Sequence, residues 1–207
     1  MKITMNSYLT RFFLLLTVAG SLVACREDSK LPAPTTESIP LIIPEINPQK
    51  SFFDSRFSRP SNKMVADSGW TRPVFEFVVN PSQGYSEIQT VEVYKSIRRK
   101  DVLGPRVKAF DLTTFPATVS INSQNASRDL FFANPMNNTT AVLGPNDTSP
   151  NRTLNGDAIV FTFEYVMKDG RRITLTPLST STSSAGAPTG TFINPPYAAI
   201  AEFRPGI

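Results

Sequence analysis

Histidine is absent from this 207-residue chain. Its absence removes the commonest general acid–base group, the Ser-His-Asp and Cys-His nucleophile arrangements, and every zinc site built on imidazole. Cysteine is nearly absent, since Cys25 is the only one. No intramolecular disulfide can therefore staple the fold, and a folded domain has to be held by buried apolar surface. Phosphate-cradling G-x-x-x-x-G-K-[ST] strings and G-x-S-x-G elbows are also missing. Asp147, Asp157 and Asp169 fall in no calcium-loop spacing. The expectation is a chain that is not an enzyme and carries no metal or cofactor.

The chain is rich in Phe, with fifteen, joined by five Tyr and one Trp among many Val and Ile. These residues suit a pleated, half-buried surface, so the expected class is all-β. The N-terminus has another character. Lys2 and Arg11 precede an apolar run, Phe12 to Gly20, which ends at Leu22-Val23-Ala24-Cys25 and is followed at once by the polar string Arg26 to Lys30. The run is too short to cross a bilayer, which takes about 20 apolar residues in a helix. It has the parts of a secretory signal. Leu22-Val23-Ala24-Cys25 resembles the lipobox of bacterial lipoproteins. That resemblance implies cleavage between Ala24 and Cys25, a diacylglyceryl group on the Cys25 thiol and a further acyl chain such as palmitate on the new amine. Membrane lipid would then be a partner through acylated Cys25. Cleavage there takes out Lys2 and Arg11, leaving 183 residues and lowering the formal charge from +4 to +2. A near-neutral chain gives no reason to expect nucleic acid, whose phosphates demand clustered Lys and Arg.

Three segments follow from composition: a signal over 1–24, a lipidated N-terminus and linker over 25–50, and a β-sandwich over 51–207. The linker contains Pro32, Pro34, Pro40, Pro44 and Pro48, which favours extended geometry of roughly 3.1 Å per residue and a domain held off the membrane. Its apolar patch, Ile39 to Ile43, is placed to dock on the domain or to form an edge strand, and the flanking prolines argue against a central one. Period-two alternation predicts strands at 74–79, about 88–97, 106–112, 117–121, 158–167 and 172–178, with further strands near Phe131 and Ile200. Lys168-Asp169-Gly170-Arg171 between two of them predicts a hairpin with a type I′ turn. Residues 179–190, all Ser, Thr, Ala, Gly and Pro apart from Leu178 before them, read as a flexible loop. Six to eight short strands without an amphipathic helix point to a sandwich.

Several candidate sites compete with plainer readings. Trp70, with Tyr85, Tyr94 and Tyr197, offers an aromatic platform for the apolar face of a sugar ring; a single Trp just before the first long strand also fits a core plug. Arg98, Arg99 and Lys100, flanked by Lys95, Arg106 and Lys108, offer a basic contact patch for a headgroup, an acidic glycan or a protein. The plainer reading is a solvated loop from Ile97 to Pro105. Glu76 and Glu164 are two carboxylates that can in principle serve glycoside cleavage. Both lie opposite the aromatic row of their strand, so solvated positions are the simpler expectation. Asn-x-Ser/Thr triplets at Asn125, Asn146 and Asn151 read as loop composition.

Two regions resemble the surface lipoproteins of Bacteroidota that accompany Sus-type polysaccharide-utilisation transporters. Cys25-Arg26-Glu27-Asp28 is similar to the acidic stretch that follows the lipidated cysteine in that group. The pair Gly156 to Tyr165 with Lys168 to Arg171 is similar to the strand pair near the end of their immunoglobulin-like domains. The resemblance implies an immunoglobulin-like β-sandwich, anchored to the outer membrane and facing the cell surface. It also implies a non-enzymatic role in binding a polysaccharide or peptide or in supporting an outer-membrane transporter, with a structural or assembly role in an envelope complex as the alternative.

Overall fold

The structure, a computed structural model, describes residues 41–82, 87–100, 102–132, 140–143, 151–174, 180–182, 188–190 and 197–206. Ala24, Cys25 and Tyr85 lie outside the described residues, as do the other residues before 41.

The strands form an all-β sandwich. The smaller sheet joins β1 (Glu45–Ile46), β3 (Val74–Val79) and β7 (Ala117–Asn122) in the order β1-β3-β7. The larger sheet runs through β2 (Phe52–Asp54), β12 (Ala199–Arg204), β8 (Ala158–Met167), β4 (Ile88–Arg99) and β5 (Val102–Leu103). In that sheet β6 (Val107–Leu112) also pairs with β4, and β9 (Arg172–Thr174) with β8. Short helices α1 (Ser55–Ser58), α2 (Asn62–Ser68) and α3 (Ser123–Ser127) lie between strands.

Alternation explains the core. Phe75, Phe77 and Val79 point inward from β3 and are fully buried, while Val74, Glu76 and Val78 take the other face. They meet the inward row of β8: the rings of Phe75 and Phe161 stack with centroids 5.9 Å apart, and Phe77 packs against both Phe161 and Phe163. Phe53 of β2 closes one end, 6.0 Å from Phe75 and 5.2 Å from Phe203. Burial of each such ring contributes roughly 1.5–3 kcal/mol, which is how a chain without disulfides holds two sheets together.

Three expectations change. First, the linker does not end at residue 50. Ile42 is completely buried, its N–H donates to the Tyr165 hydroxyl at 2.9 Å, and it bridges to Pro81. The next residues form β1 on the edge of the smaller sheet, so the prolines flank an edge strand and the folded domain already includes Leu41 to Lys50.

Second, the 158–174 hairpin is present, pairing Glu164 with Thr174 and Val166 with Arg172, but its turn is not type I′. Gly170 N–H donates to Met167 carbonyl at 2.9 Å, and of the loop residues only Gly170 has positive φ, at 86°. This is a three-residue loop, a type I turn over Lys168 and Asp169 closed by a left-handed glycine. Third, within the expected loop at 179–190, β10 (Thr180–Thr182) pairs antiparallel with β11 (Pro188–Gly190). Backbone hydrogen bonds make that ladder without any apolar pattern.

β8 is covered on both faces, as Val160 and Val166 within its alternating run suggest. Ile159, Phe161, Phe163, Tyr165 and Met167 face the core as expected, but Val160 is buried on the other side among Leu103, Ala198 and Ile200. Thr162 is buried there too. The apolar islands of the long polar segment also find places: Leu130, Phe132 and Val142 enter the main core, and Phe131 bridges to Ala141.

Candidate ligand-binding surfaces

Trp70 is not a core plug. It is 48% exposed and packs edge to face on Phe57, with ring centroids 5.1 Å apart and planes at 88°. Local sequence sets this position. Ser61 caps α2 by accepting from the Met64 N–H, and Gly69, at φ 69°, ends the helix in the left-handed region. Trp70 N–H then reaches back to the Val65 carbonyl at 3.2 Å, the longer bond of a Schellman-type ending. Arg72 braces the loop between α1 and α2 by donating to the carbonyls of Ser58 and Pro60 and to Asn62 Oδ1. Arg56 lies 5.6 Å from the Phe57 ring centre, held by Asp54, whose carboxyl that guanidinium keeps below its usual range. Exposed Met64 stands on α2 itself.

Among the described residues the broader aromatic platform is not assembled. Tyr94 lies on the outer face of the larger sheet beneath Arg106, 3.7 Å from its guanidinium carbon. Tyr197 is exposed just ahead of β12, whereas α1 touches that strand and Phe53 meets its far end at Phe203. The stretch of β12 from Ala199 to Phe203, about 13 Å, lies between them. Phe57 was the partner missed; its spacing from Trp70 carries no periodic signal, although Ser61 and Gly69 mark the helix between them.

The basic patch is not an open one. Arg98 and Arg99 belong to β4, and the expected loop is a tight hairpin pairing Arg98 with Leu103 and Arg99 with Val102. Arg99 is consumed structurally: it donates to Asp157 at 2.7 Å and to the Arg152 carbonyl, and its guanidinium carbon sits 3.8 Å from the Phe132 ring centre. Arg98 reaches Glu202 at 3.5 Å. Lys100 alone of the three is left exposed in the turn, at φ 55°.

Glu76 and Glu164 do not meet. Each stands on the outer face of its own sheet, with the sandwich core between them. Neither is simply solvated, because Glu76 accepts from Lys50 and Asn47, both at 2.7 Å, while Glu164, 14% exposed, is held by Arg106 and Arg172. Glu92, directly opposite Glu164 on β4, accepts from Arg172, Lys108 and Tyr94. The Arg172 and Lys108 bonds hold its carboxyl down to about 2. These groups form an ionic network, and Glu92, held ionised in it, is a poor proton donor near neutral pH.

A second surface lies where the two sheets part. β6 and β7 each pair on one side only among the described residues, and between them opens a cleft of about 330 Å³. Val119 and Ile121 line one wall, Phe110 the other, and Asn125 adds a polar group. Lys95 also lines it, from a core-facing position of β4 opposite Phe161 and Val107. Although only 6% exposed, it donates from Nζ to the carbonyls of Asn125 at 3.0 Å and Arg128 at 2.8 Å. The first carbonyl belongs to the last turn of α3 and the second to its C-cap residue, where backbone acceptors have no partner within the helix. Burial pushes the Lys95 ammonium down to about 8. Compared with protein-family models, with curated proteins and with solved structures, the chain matches none.

Proposed function

We propose that this chain is a non-enzymatic, lipid-anchored binding module of the outer membrane, and that it takes glycan by stacking a sugar ring on Trp70 and Phe57. The observation that carries the reading is the half-exposed indole on a braced loop. An aromatic face kept partly dry by a second ring, with polar neighbours, gives a sugar's C–H face an apolar partner and its hydroxyls hydrogen-bonding ones. The strand order supports an immunoglobulin-like form of the sandwich: β1-β3-β7 and β12-β8-β4-β6 take the places of A-B-E and G-F-C-C′, with β2 running parallel to β12. The lipobox-like Leu22 to Cys25 supports the anchor, and the acidic residues after Cys25 support the cell-surface side.

Affinity electrophoresis of the purified chain through gels containing polysaccharides tests the binding. The expected result is retardation by at least one polymer, weakened about tenfold in Trp70→Ala. If no polymer retards the protein while an outer-membrane transporter co-purifies with it, the assembly reading replaces this one. Anchoring is tested separately: Cys25→Ala should leave the detergent-extracted membrane fraction, and retention there would count against acylation.

A further inference from the structure

We propose that the cleft between β6 and β7 is a second, independent binding site, for the carboxylate of a sugar acid no larger than a hexuronate. A lysine at a core-facing strand position is costly unless its donors are used. Lys95 has three N–H donors, two taken by the carbonyls of Asn125 and Arg128, and no described residue accepts from the third.

Two other cationic residues line the same space. Lys108 is already engaged by Glu92 and Asp111. The guanidinium of Arg128 stands exposed at the rim, with no hydrogen bond or ion pair among the described residues. Asp129 beside it is the one carboxylate among the described residues that line the cleft. Lys95 and Arg128 against Asp129 leave an excess of one positive charge in a space only partly open to water. There a charge-assisted bond to a carboxylate is stronger than in bulk solvent. The walls fit a ring with two characters, Val119, Ile121 and Phe110 being apolar and Asn125 polar. The volume lies at the lower end of the range for small-molecule sites, which limits the occupant to about one sugar unit.

Glucuronate, glucose and acetate, titrated at matched ionic strength into the full chain labelled at the lysine ε-carbon and followed by NMR, test the proposal. Glucuronate should move the Lys95 resonance saturably and raise its titration midpoint, glucose should not, and acetate should do so more weakly. Arg128→Gln should weaken glucuronate about tenfold, whereas Asp129→Asn should strengthen it. Both residues are exposed, so neither variant endangers the fold. Equal responses to glucose and glucuronate, a response reproduced by chloride alone, or wild-type affinity in Arg128→Gln would overturn the site. Trp70→Ala should leave these titrations unchanged, so failure of the stacking surface and failure of the cleft remain distinguishable.

Discussion

The guanidinium of Arg172 forks across the carboxylate of Glu92, with Nη1 2.7 Å from Oε2 and Nη2 3.0 Å from Oε1, and Nη1 also reaches Glu164 at 3.3 Å. Glu92 and Glu164 are directly paired on β4 and β8, an arrangement in which like charges repel. The short β9 strand delivers the cation that reconciles them.

The pH dependence of stability should show this. Glu92 is held at about 2 in the folded chain, against about 4.3 for a free glutamate. Because the folded value is the lower one, the contribution is complete above the free value and is lost as pH falls through about 2. In urea unfolding, Arg172→Met should be less stable than wild type at pH 7, with a gap that narrows steadily below pH ~4.5. A gap independent of pH would show that Arg172 acts through packing alone. Glu92→Gln should cost about 1 kcal/mol at neutral pH, through the loss of charge-assisted bonds.

Tyr165→Phe should loosen the N-terminal segment. The Tyr165 hydroxyl is the acceptor for the buried Ile42 N–H, and removing it leaves that donor unsatisfied at a cost of about 1–3 kcal/mol. Amide exchange at Ile42 should quicken by more than at Phe161 in the opposite sheet. Equal acceleration at both would mean that only global stability had changed.

Gly170→Val should destabilise the hairpin by about 1 kcal/mol or more, since a β-branched residue is poorly tolerated at positive φ. A Cβ at this position meets nothing within 4 Å, so the loss is one of backbone conformation and not of collision. Gly170→Asn should cost less, asparagine being the milder occupant of that region. Thermal melts of the two variants provide the comparison.

Phe77→Ala should cost about 3–5 kcal/mol, the usual range for emptying a fully packed aromatic position. Phe77 is completely buried and touches the rings of Phe75, Phe161 and Phe163, so its removal opens the seam between the sheets. A loss below 1 kcal/mol in urea titration would mean that the core collapses to fill the space.

β3 was legible because one of its faces is buried, and burial writes a period of two into the sequence. Ala158–Met167 was legible from its larger side chains at alternate positions, Ile159, Phe161, Phe163, Tyr165 and Met167, although much of its other face is buried too. β1, β2 and β5 were not legible, having only two or three residues each, too few to show a period. Helix α2 buries no residue, so it too lacks an apolar stripe; only Ser61 and Gly69 mark its ends. The candidate surfaces were harder still. Trp70 was identifiable as a residue, but its exposure depends on a helix ending and on Phe57, thirteen positions earlier. Lys95 was visible only as one member of a basic run.

The sequence by itself determined the kind of core and the absence of intramolecular disulfide and imidazole chemistry, because composition and local pattern suffice for these. Tertiary structure decided which charges are free. Arg98, Arg99 and Glu164 look like surface groups along the chain and are tied up by residues far from them in sequence, Arg99 by Asp157 and Glu164 by Arg106. Lys95 shares a strand face with Val91 and Val93, yet faces the end of α3 and a cleft. Alternation assigns a side chain to a face, but whether that face meets a ring, a carbonyl or water depends on the strand laid across it.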